Sequence, residues 1–211
     1  MNKKMDAYKV LIPSLLVTLV GLVLSLLQIG MKFQAGAGDM VSLNALFVSI
    51  VAVAVTSFIF AAVRYNAATG LVLGIVTLHD QVLTLAIVAI LSMILPQANI
   101  MPIMVIFSVA FTFAQSLPVI REIRDLRHSN SIRDMSNEMV VDKAVKSTDG
   151  LRIASTVLAG LFIIAGLFSG NIKFVYALSP LVVGLLVSLY SARTLTSKLW
   201  LDYSPRMNKR K

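Results

Sequence analysis

The sequence predicts an all-α membrane protein with six transmembrane helices in one bundle, and three observations lead to that prediction. Hydrophobic residues make up 57% of the 211 residues and charged residues only 14%, against about 25% charged residues in typical soluble domains. The mean hydropathy is +0.85. Several stretches carry no charge over the roughly 20 residues that cross a bilayer. A soluble core with a polar surface is therefore excluded.

Four charge-free runs locate most of the spans. They cover residues 10–31, 40–63, 153–172 and 174–192. A longer apolar stretch, 65–120, is interrupted by Pro96, Gln97 and Asn99, which predicts two helices joined by a tight turn. We therefore predict helices near 10–30, 41–63, 67–95, 100–120, 152–169 and 174–196.

The positive charges predict the orientation of these helices. All but two of the 19 Lys and Arg residues fall on one side of the predicted membrane, and the exceptions are Lys32 and Lys173. Because cytoplasmic loops are enriched in Lys and Arg, we predict both termini in the cytoplasm. The connections on the other side are short, so we predict a single transmembrane domain, 1–211, without an extracytoplasmic domain.

The only sizeable soluble segment in this prediction is a cytoplasmic connector, residues 121–150. Ser131 and Asp134 have the spacing of a capping box. Four apolar residues are spaced to line one side of a short helix: Met135, Met139, Val140 and Ala144. A solvated or interfacial connector is favoured over a binding motif.

Small residues recur at four-residue intervals on three predicted helices. The sets are Gly70 with Gly74, Gly166 with Gly170, and Gly184 with Ser188 and Ala192. Lipid supplies no hydrophobic drive for helix association, so helices in membranes pack through close backbone approach at such residues. The spacing favours a compact bundle.

One acid lies deep in a predicted span. Asp80 is about 12 residues into its helix, which places it roughly 18 Å deep. An ionised carboxylate there is costly unless it is paired or hydrated, so Asp80 is expected to face the bundle interior. A protonatable group in a relay or gate and a neutral acid hydrogen-bonded to Thr77, Gln81 or a neighbouring helix remain equally open. His79 is interpreted as a hydrogen-bonded core residue rather than a metal ligand.

Gln115 and Arg152 form a second candidate polar site. Gln115 lies about five residues from the cytoplasmic end of its predicted helix, and Arg152 begins the next one, so a side-chain contact between them is feasible. The favoured interpretation is that Arg152 extends to the interface and marks the membrane boundary.

Residue patterns of conventional enzymes do not occur in the chain. It has no glycine-rich phosphate loop, no nucleophile with a base and no zinc-ligand spacing, and it contains no cysteine. We expect no enzymatic activity, cofactor or metal. Membrane lipid is an expected partner and nucleic acid is not, because the basic residues flank spans and lack interleaved aromatic residues.

Six short stretches together resemble SecF, the protein-export membrane protein related to the RND superfamily of proton-driven transporters. The resemblance as a whole covers roughly residues 43–199. In chain order the stretches are 60–65, Leu78-His79-Asp80, 120–125, 152–156, 168–170, and Gly184 with Ser188-Leu-Tyr-Ser191. The resemblance implies a half-bundle of the SecF/RND type in a bacterial or archaeal plasma membrane. It also implies a role in protein translocation through the Sec channel, together with a SecD-like subunit.

In that family, intramembrane Asp and Arg residues couple proton entry to movement of an extracytoplasmic domain. By this resemblance Arg152 matches the family arginine, and Asp80 matches the Asp of its His-Asp pair. The family sequence Asn-Asp-Thr is Ala114-Gln115-Ser116 here, and glutamine cannot release a proton. Residues 31–40 stand where the family has its large extracytoplasmic domain.

Three hypotheses follow. The leading one is a SecF-like auxiliary subunit that supports translocation or membrane insertion by packing against a SecD-like partner. The second is a small proton-coupled transporter that uses Asp80. The third is an assembly adaptor whose working part is the 121–150 connector.

Overall fold

A computed structural model describes residues 43–94, 103–128, 135–168 and 172–208. Nearly all of these residues are helical, and none of them forms a strand. In chain order the described helices are α1 Leu43–Arg64, α2 Ala67–Ile94, α3 Ile103–Phe107, α4 Val109–His128, α5 Asn137–Leu167, α6 Ile172–Ser191 and α7 Ser197–Asn208. A five-residue π-helical turn, Ala192–Thr196, joins α6 to α7.

Five helical stretches are long and apolar enough to cross a membrane. They are Leu46–Arg64, Ala67–Leu91, Met104–Arg127, Asn137–Gly166 and Tyr176–Tyr203. The prediction of an all-α, multi-pass membrane protein is thus confirmed for the described part of the chain. The predicted helix near 10–30 and the predicted turn at Pro96 lie outside the described residues.

A tight turn brings α1 and α2 together as an antiparallel pair. The turn is short because Asn66 caps α2, its Oδ1 accepting the backbone N–H of Thr69 at 2.8 Å, as N-cap residues do. Gly70 then lies directly against α1, where an added Cβ would come within 2.7 Å of the Ala62 Cβ and of the Phe58 carbonyl oxygen. Only a glycine permits this approach.

The central helix of the bundle is α2, which contacts α1, α4, α6 and α7. Its two halves belong to different apolar clusters. Val72 and Val76 pack with residues of α4, α5 and α7 around Trp200. Leu83 and Val88 pack with α1, α3 and α6 at the opposite end. The polar residues of α2 lie between these two clusters, midway along the bundle.

The predicted helix boundaries at 120 and 152 are wrong. The helix predicted to end at 120 continues to His128, and the helix predicted to start at 152 begins at Asn137. The charges after residue 120 mark the end of the apolar run, and the predicted helix was ended there. The inward face of α4 nevertheless stays apolar, because Ile123 is fully buried in the same cluster as Ala144 of α5. Helices therefore extend into the predicted connector from both sides.

Capping explains where α5 begins. Ser136 is its N-cap, with its Oγ accepting the Met139 N–H at 3.4 Å. The capping box predicted at Ser131 lies outside the described residues. Val140 and Ala144 are buried, whereas Met135 and Met139 are exposed, so only two of the four apolar residues expected on one side of this helix face the core.

The last helix also runs past its predicted end at 196. Helical structure continues through the π-helical turn and α7 to Asn208. Trp200 anchors this extension, since it is 5% exposed and stacks under the Arg127 guanidinium at 4.5 Å from the ring centre. Arg127 also donates to Asn137 Oδ1 at 2.6 Å, so α4, α5 and α7 are joined beyond the apolar spans.

Candidate functional site: a buried polar layer around Asp80

Asp80 is enclosed at the junction of three helices and is 1% exposed. Its Oδ2 accepts hydrogen bonds from Thr112 of α4 and Ser191 of α6, both at 2.8 Å. Its Oδ1 lies 3.1 Å from His79 Nδ1. Neither Thr77 nor Gln81 bonds to it, so its partners come from the neighbouring helices, one of the alternatives that the sequence allowed. The predicted inward orientation of Asp80 is observed.

Helical periodicity places further polar side chains beside Asp80. On α2, Thr77 and Thr84 lie three and four residues from Asp80, on the same side of the helix. Gln81 lies four residues after Thr77 and three before Thr84, so it shares that inward side. Facing helices contribute hydroxyls and an amide at similar heights. We call these residues the polar layer, and its buried members are Thr77, Asp80, Gln81, Thr84, Ser108, Thr112, Gln115, Ser116, Ser188, Ser191 and Thr196.

Cross-helix hydrogen bonds connect several members of this layer. Gln81 Nε2 donates to Ser108 Oγ at 3.1 Å, and Ser108 in turn donates to the Val105 carbonyl at 2.6 Å. Ser116 and Thr196 hydroxyls lie 3.2 Å apart, which ties α4 to the π-helical turn. The layer thus links α2, α4 and α6 by polar contacts as well as by packing.

Three oxygens on the same face of α2 have no hydrogen-bond partner among the described residues. They are Thr77 Oγ1, Gln81 Oε1 and Thr84 Oγ1, and all three side chains are fully buried. Such groups are costly in an apolar interior. The polar layer therefore has hydrogen-bonding capacity beyond what its own side chains use.

His79 lies at the edge of this layer. Its side chain is 14% exposed, and its Nδ1 contacts Asp80 Oδ1. Within the described residues no group of three or more His, Cys, Asp or Glu side chains is placed to hold a metal ion. His79 is therefore a partly buried histidine in hydrogen-bond contact with an acid.

Arg152 contradicts the interpretation favoured from sequence. Its side chain is 4% exposed and does not extend to the interface. It turns inward, where it donates to the Leu189 carbonyl at 3.2 Å and to Asp149 Oδ1 at 3.1 Å. The Leu189 carbonyl and the Asp149 carboxylate, three residues away on the same helix, satisfy two of the guanidinium donors.

Gln115 does lie next to Arg152, but the two side chains do not bond. Gln115 Nε2 donates to the hydroxyls of Ser155 and Thr156 at 3.1 Å and lies 3.4 Å from the Arg152 carbonyl. Its Oε1 has no partner in the described part of the chain. Gln115 thus joins α4 to the first turn of α5 that follows Arg152.

Asp149 is a site residue that the sequence did not indicate. It contacts Arg152 on its own helix and Arg193 in the π-helical turn at 3.6 Å. Its position in the predicted soluble connector concealed it, although its i,i+3 spacing from Arg152 was a usable signal. Thr112 and Ser191 were also missed, because single hydroxyl residues are common in membrane helices and carry no signal of their own.

The predicted packing residues lie at helix contacts to different degrees. Gly70 and Gly74 face α1, and a Cβ on Gly184 would overlap the Ser108 Cβ of the α3–α4 junction. Ser188 and Ala192 are fully buried. Gly166 is only partly buried, and Gly170 lies outside the described residues.

Asp80 and Arg152 are therefore held apart in the bundle. Asp80 and Arg152 both bond to the same stretch of α6, through Ser191 and the Leu189 carbonyl, but not to each other. Asp80 has two hydroxyls and a histidine as hydrogen-bond partners. Arg152 has a different acidic partner, Asp149. No protein-family model matches this chain, and no curated protein or solved structure matches it either.

Proposed function

We propose that this chain is a SecF-like auxiliary membrane subunit that supports protein translocation or membrane insertion through the Sec channel. It acts by packing its helices against a SecD-like partner in a bacterial or archaeal plasma membrane, with both termini in the cytoplasm. Direct coupling to protons is not part of this role, because Gln115 stands in place of the family's titratable acid.

The observation that carries the proposal is the convergence of the residues that resemble SecF. Asp80, Arg152 and the 188–191 stretch belong to this resemblance and are far apart in sequence, and Gln115 stands where the family has a titratable acid. In the folded chain Asp80 bonds to Ser191, Arg152 bonds to the Leu189 carbonyl, and Gln115 bonds to the turn after Arg152. A chance resemblance in scattered stretches gives no reason for Asp80 and Arg152 to contact the same stretch of α6.

A surface for a partner supports the packing role. Only 6% of the most apolar part of α5 is buried within the chain. Gln115 nevertheless bonds to Ser155 and Thr156 of this helix. Leu161 is 56% exposed and Ile164 is 45% exposed. Their side of α5 points away from the bundle, because Arg152 and Thr156 occupy the opposite side. This face is apolar and open to lipid or to a second membrane subunit.

Recovery of partners from membranes tests this proposal. The tagged chain, solubilised in mild detergent, is expected to co-purify with a SecD-like or Sec-channel protein. Leu161→Trp, on the outward face of α5, is expected to reduce that recovery several-fold. Val55→Trp is the matched control, since Val55 is also about half exposed but lies on α1. Reproducible absence of both partners from the wild-type sample would contradict the proposal.

A second candidate function is a small proton-coupled transporter that uses Asp80. The observation in its favour is the set of unpartnered oxygens at Thr77, Gln81 and Thr84, which extends about one turn to either side of the acid. Such a row can hydrogen-bond water next to a carboxylate. This function requires an ionisable group at position 80, whereas the packing role requires only its hydrogen bonds.

A further inference from the structure

Helices α1 and α4 run in the same direction, because both are antiparallel to α2. The first turns of α1 pack against the end of α2, and the last turns of α4 pack against its start. The two helices meet where the Phe60 ring of α1 contacts the Phe113 ring of α4 edge to face, with 5.8 Å between the ring centres. We call the apolar residues at this contact, Phe60, Val63, Phe113 and Leu117, the α1–α4 seam.

Three arginines lie at one end of this seam. Arg64, the last residue of α1, lies one turn after Phe60 on the same side of the helix. Arg124 of α4 reaches across to α1, where its guanidinium carbon lies 5.6 Å from the centre of the Tyr65 ring. Arg121 lies about one turn before Arg124. We call Arg64, Arg121 and Arg124 the arginine cluster.

The positive charge of the arginine cluster is only partly neutralised within the described part of the chain. Arg121 lies 3.7 Å from Asp125, but the two side chains are 76% and 59% exposed, and such pairs are weak. Arg64 and Arg124 form no ion pair with any described carboxylate. Guanidinium groups bind phosphate and carboxylate groups strongly, so the cluster favours an anionic ligand.

An exposed apolar surface continues from the arginine cluster toward the middle of the bundle. Phe60 is 48% exposed and Val63 is 84% exposed, and no charge interrupts α1 before Arg64 or α4 before Arg121. Beneath this surface lies a buried apolar cluster that joins α1, α2 and α4, formed by Ala61, Leu73 and Ile120. The arginines therefore lie where two charge-free spans end, and the seam lies at the depth of the hydrocarbon.

We propose that this surface binds an anionic phospholipid, with the lipid phosphate on the arginine cluster and an acyl chain along the α1–α4 seam. Basic sites between membrane helices hold such head groups. An acidic soluble peptide matches the charges but not the apolar seam. Phosphatidylcholine matches the seam, but its positive choline group opposes the arginines. The inference goes beyond the proposed function and does not depend on it.

Fluorescence quenching by brominated lipid tests this inference. Phe60→Trp places an indole on the seam, and the chain is reconstituted in vesicles of phosphatidylcholine and phosphatidylglycerol in equal amounts, with bromine on the acyl chains of one lipid at a time. The wild-type chain supplies the background of Trp200, its one tryptophan, which is 5% exposed. Brominated phosphatidylglycerol should quench the added indole several-fold more effectively than brominated phosphatidylcholine.

The control for position is Val48→Trp. Val48 is 69% exposed on the same helix but lies about three turns before Phe60, away from the arginines, so both lipids should quench it equally. Equal quenching by the two lipids at Phe60, or the same preference for phosphatidylglycerol at Val48, would overturn the inference. If Phe60→Trp disturbs the contact with Phe113, Val63→Trp decides, because Val63 is 84% exposed.

Removal of charge tests the arginines themselves. In the Phe60→Trp chain, Arg64→Gln with Arg121→Gln should abolish the preference for phosphatidylglycerol, and little packing is lost because both side chains are exposed. Lys143→Gln with Lys146→Gln is the matched control, since it removes the same charge from exposed positions of α5 and should leave the preference unchanged. A preference that survives the arginine substitutions, or that falls equally in both double variants, would contradict the proposed lipid site.

Discussion

Asp149 holds two arginines at once, one buried and one exposed. Arg152 is enclosed by the bundle, and Arg193 is 66% exposed. A buried guanidinium that loses its carboxylate keeps its desolvation cost without its main electrostatic partner. At the residue scale, Asp149 rather than Arg152 is thus the informative position to change.

Asp149→Asn is expected to destabilise the protein by about 1.5–3 kcal/mol, the range for hydrogen bonds to charged groups. The measurement is the melting temperature of the purified chain in one detergent. Asp142→Asn is the matched control, because Asp142 lies on the same helix and pairs with Lys146, but both side chains are largely exposed. Such pairs contribute roughly 0.5 kcal/mol or less. Equal effects of the two substitutions would contradict the assignment of Asp149.

The contact between α6 and the start of α4 depends on a missing side chain. Gly184 lies so close to Ser108 that a Cβ would overlap the serine Cβ. Ser108 in turn accepts the hydrogen bond of Gln81. At the element scale, one glycine therefore sets both the helix spacing and one bond of the polar layer.

Gly184→Ala is expected to lower stability by about 1–3 kcal/mol, as overpacking of a filled core does. Gly160→Ala is the control, since a Cβ at Gly160 meets no atom within 4 Å and alanine is the better helix former. The control should be neutral or slightly stabilising in the same melting assay. A Gly184→Ala protein as stable as the wild type would show that α6 and the α3–α4 junction are not in close contact.

Helix positions were predictable from charge-free runs, but helix ends were not. The runs located α1 and α2 to within a few residues. They failed after residue 120 and before residue 152, because charge reports where a membrane ends and not where a helix ends. Ile123 and Ala144 show why, since they continue an inward apolar face past the first exposed charges.

The site was predictable only in part, for a similar reason. The predicted depth of Asp80 in the membrane required its side chain to face the bundle interior, and in the structure the side chain is buried there. The direction of Arg152 was not predictable, because a long side chain at a helix start reaches the interface or the interior with equal ease. The direction of the Arg152 side chain is determined by its two acceptors, the Leu189 carbonyl and Asp149. The position of the Leu189 carbonyl depends on how α5 packs against α6.

At the scale of the whole molecule, a polar layer lies between two apolar clusters. The clusters bring α2, α4 and α6 together, and the hydrogen bonds of Asp80 specify their relative heights. Buried polar contacts of this kind favour one arrangement of the helices, because any other arrangement leaves the polar groups without partners. In the proposed packing role, this arrangement presents α5 to a translocation partner.

The most direct test of the packing role is Asp80→Asn, with export of a secreted reporter measured in cells that depend on this chain. The amide oxygen still accepts from Thr112 and Ser191, but the group no longer exchanges a proton. The packing role predicts export close to the wild-type level, with unchanged partner recovery. Loss of export, with chain level, melting temperature and partner recovery unchanged, would contradict it and favour a proton-coupled mechanism.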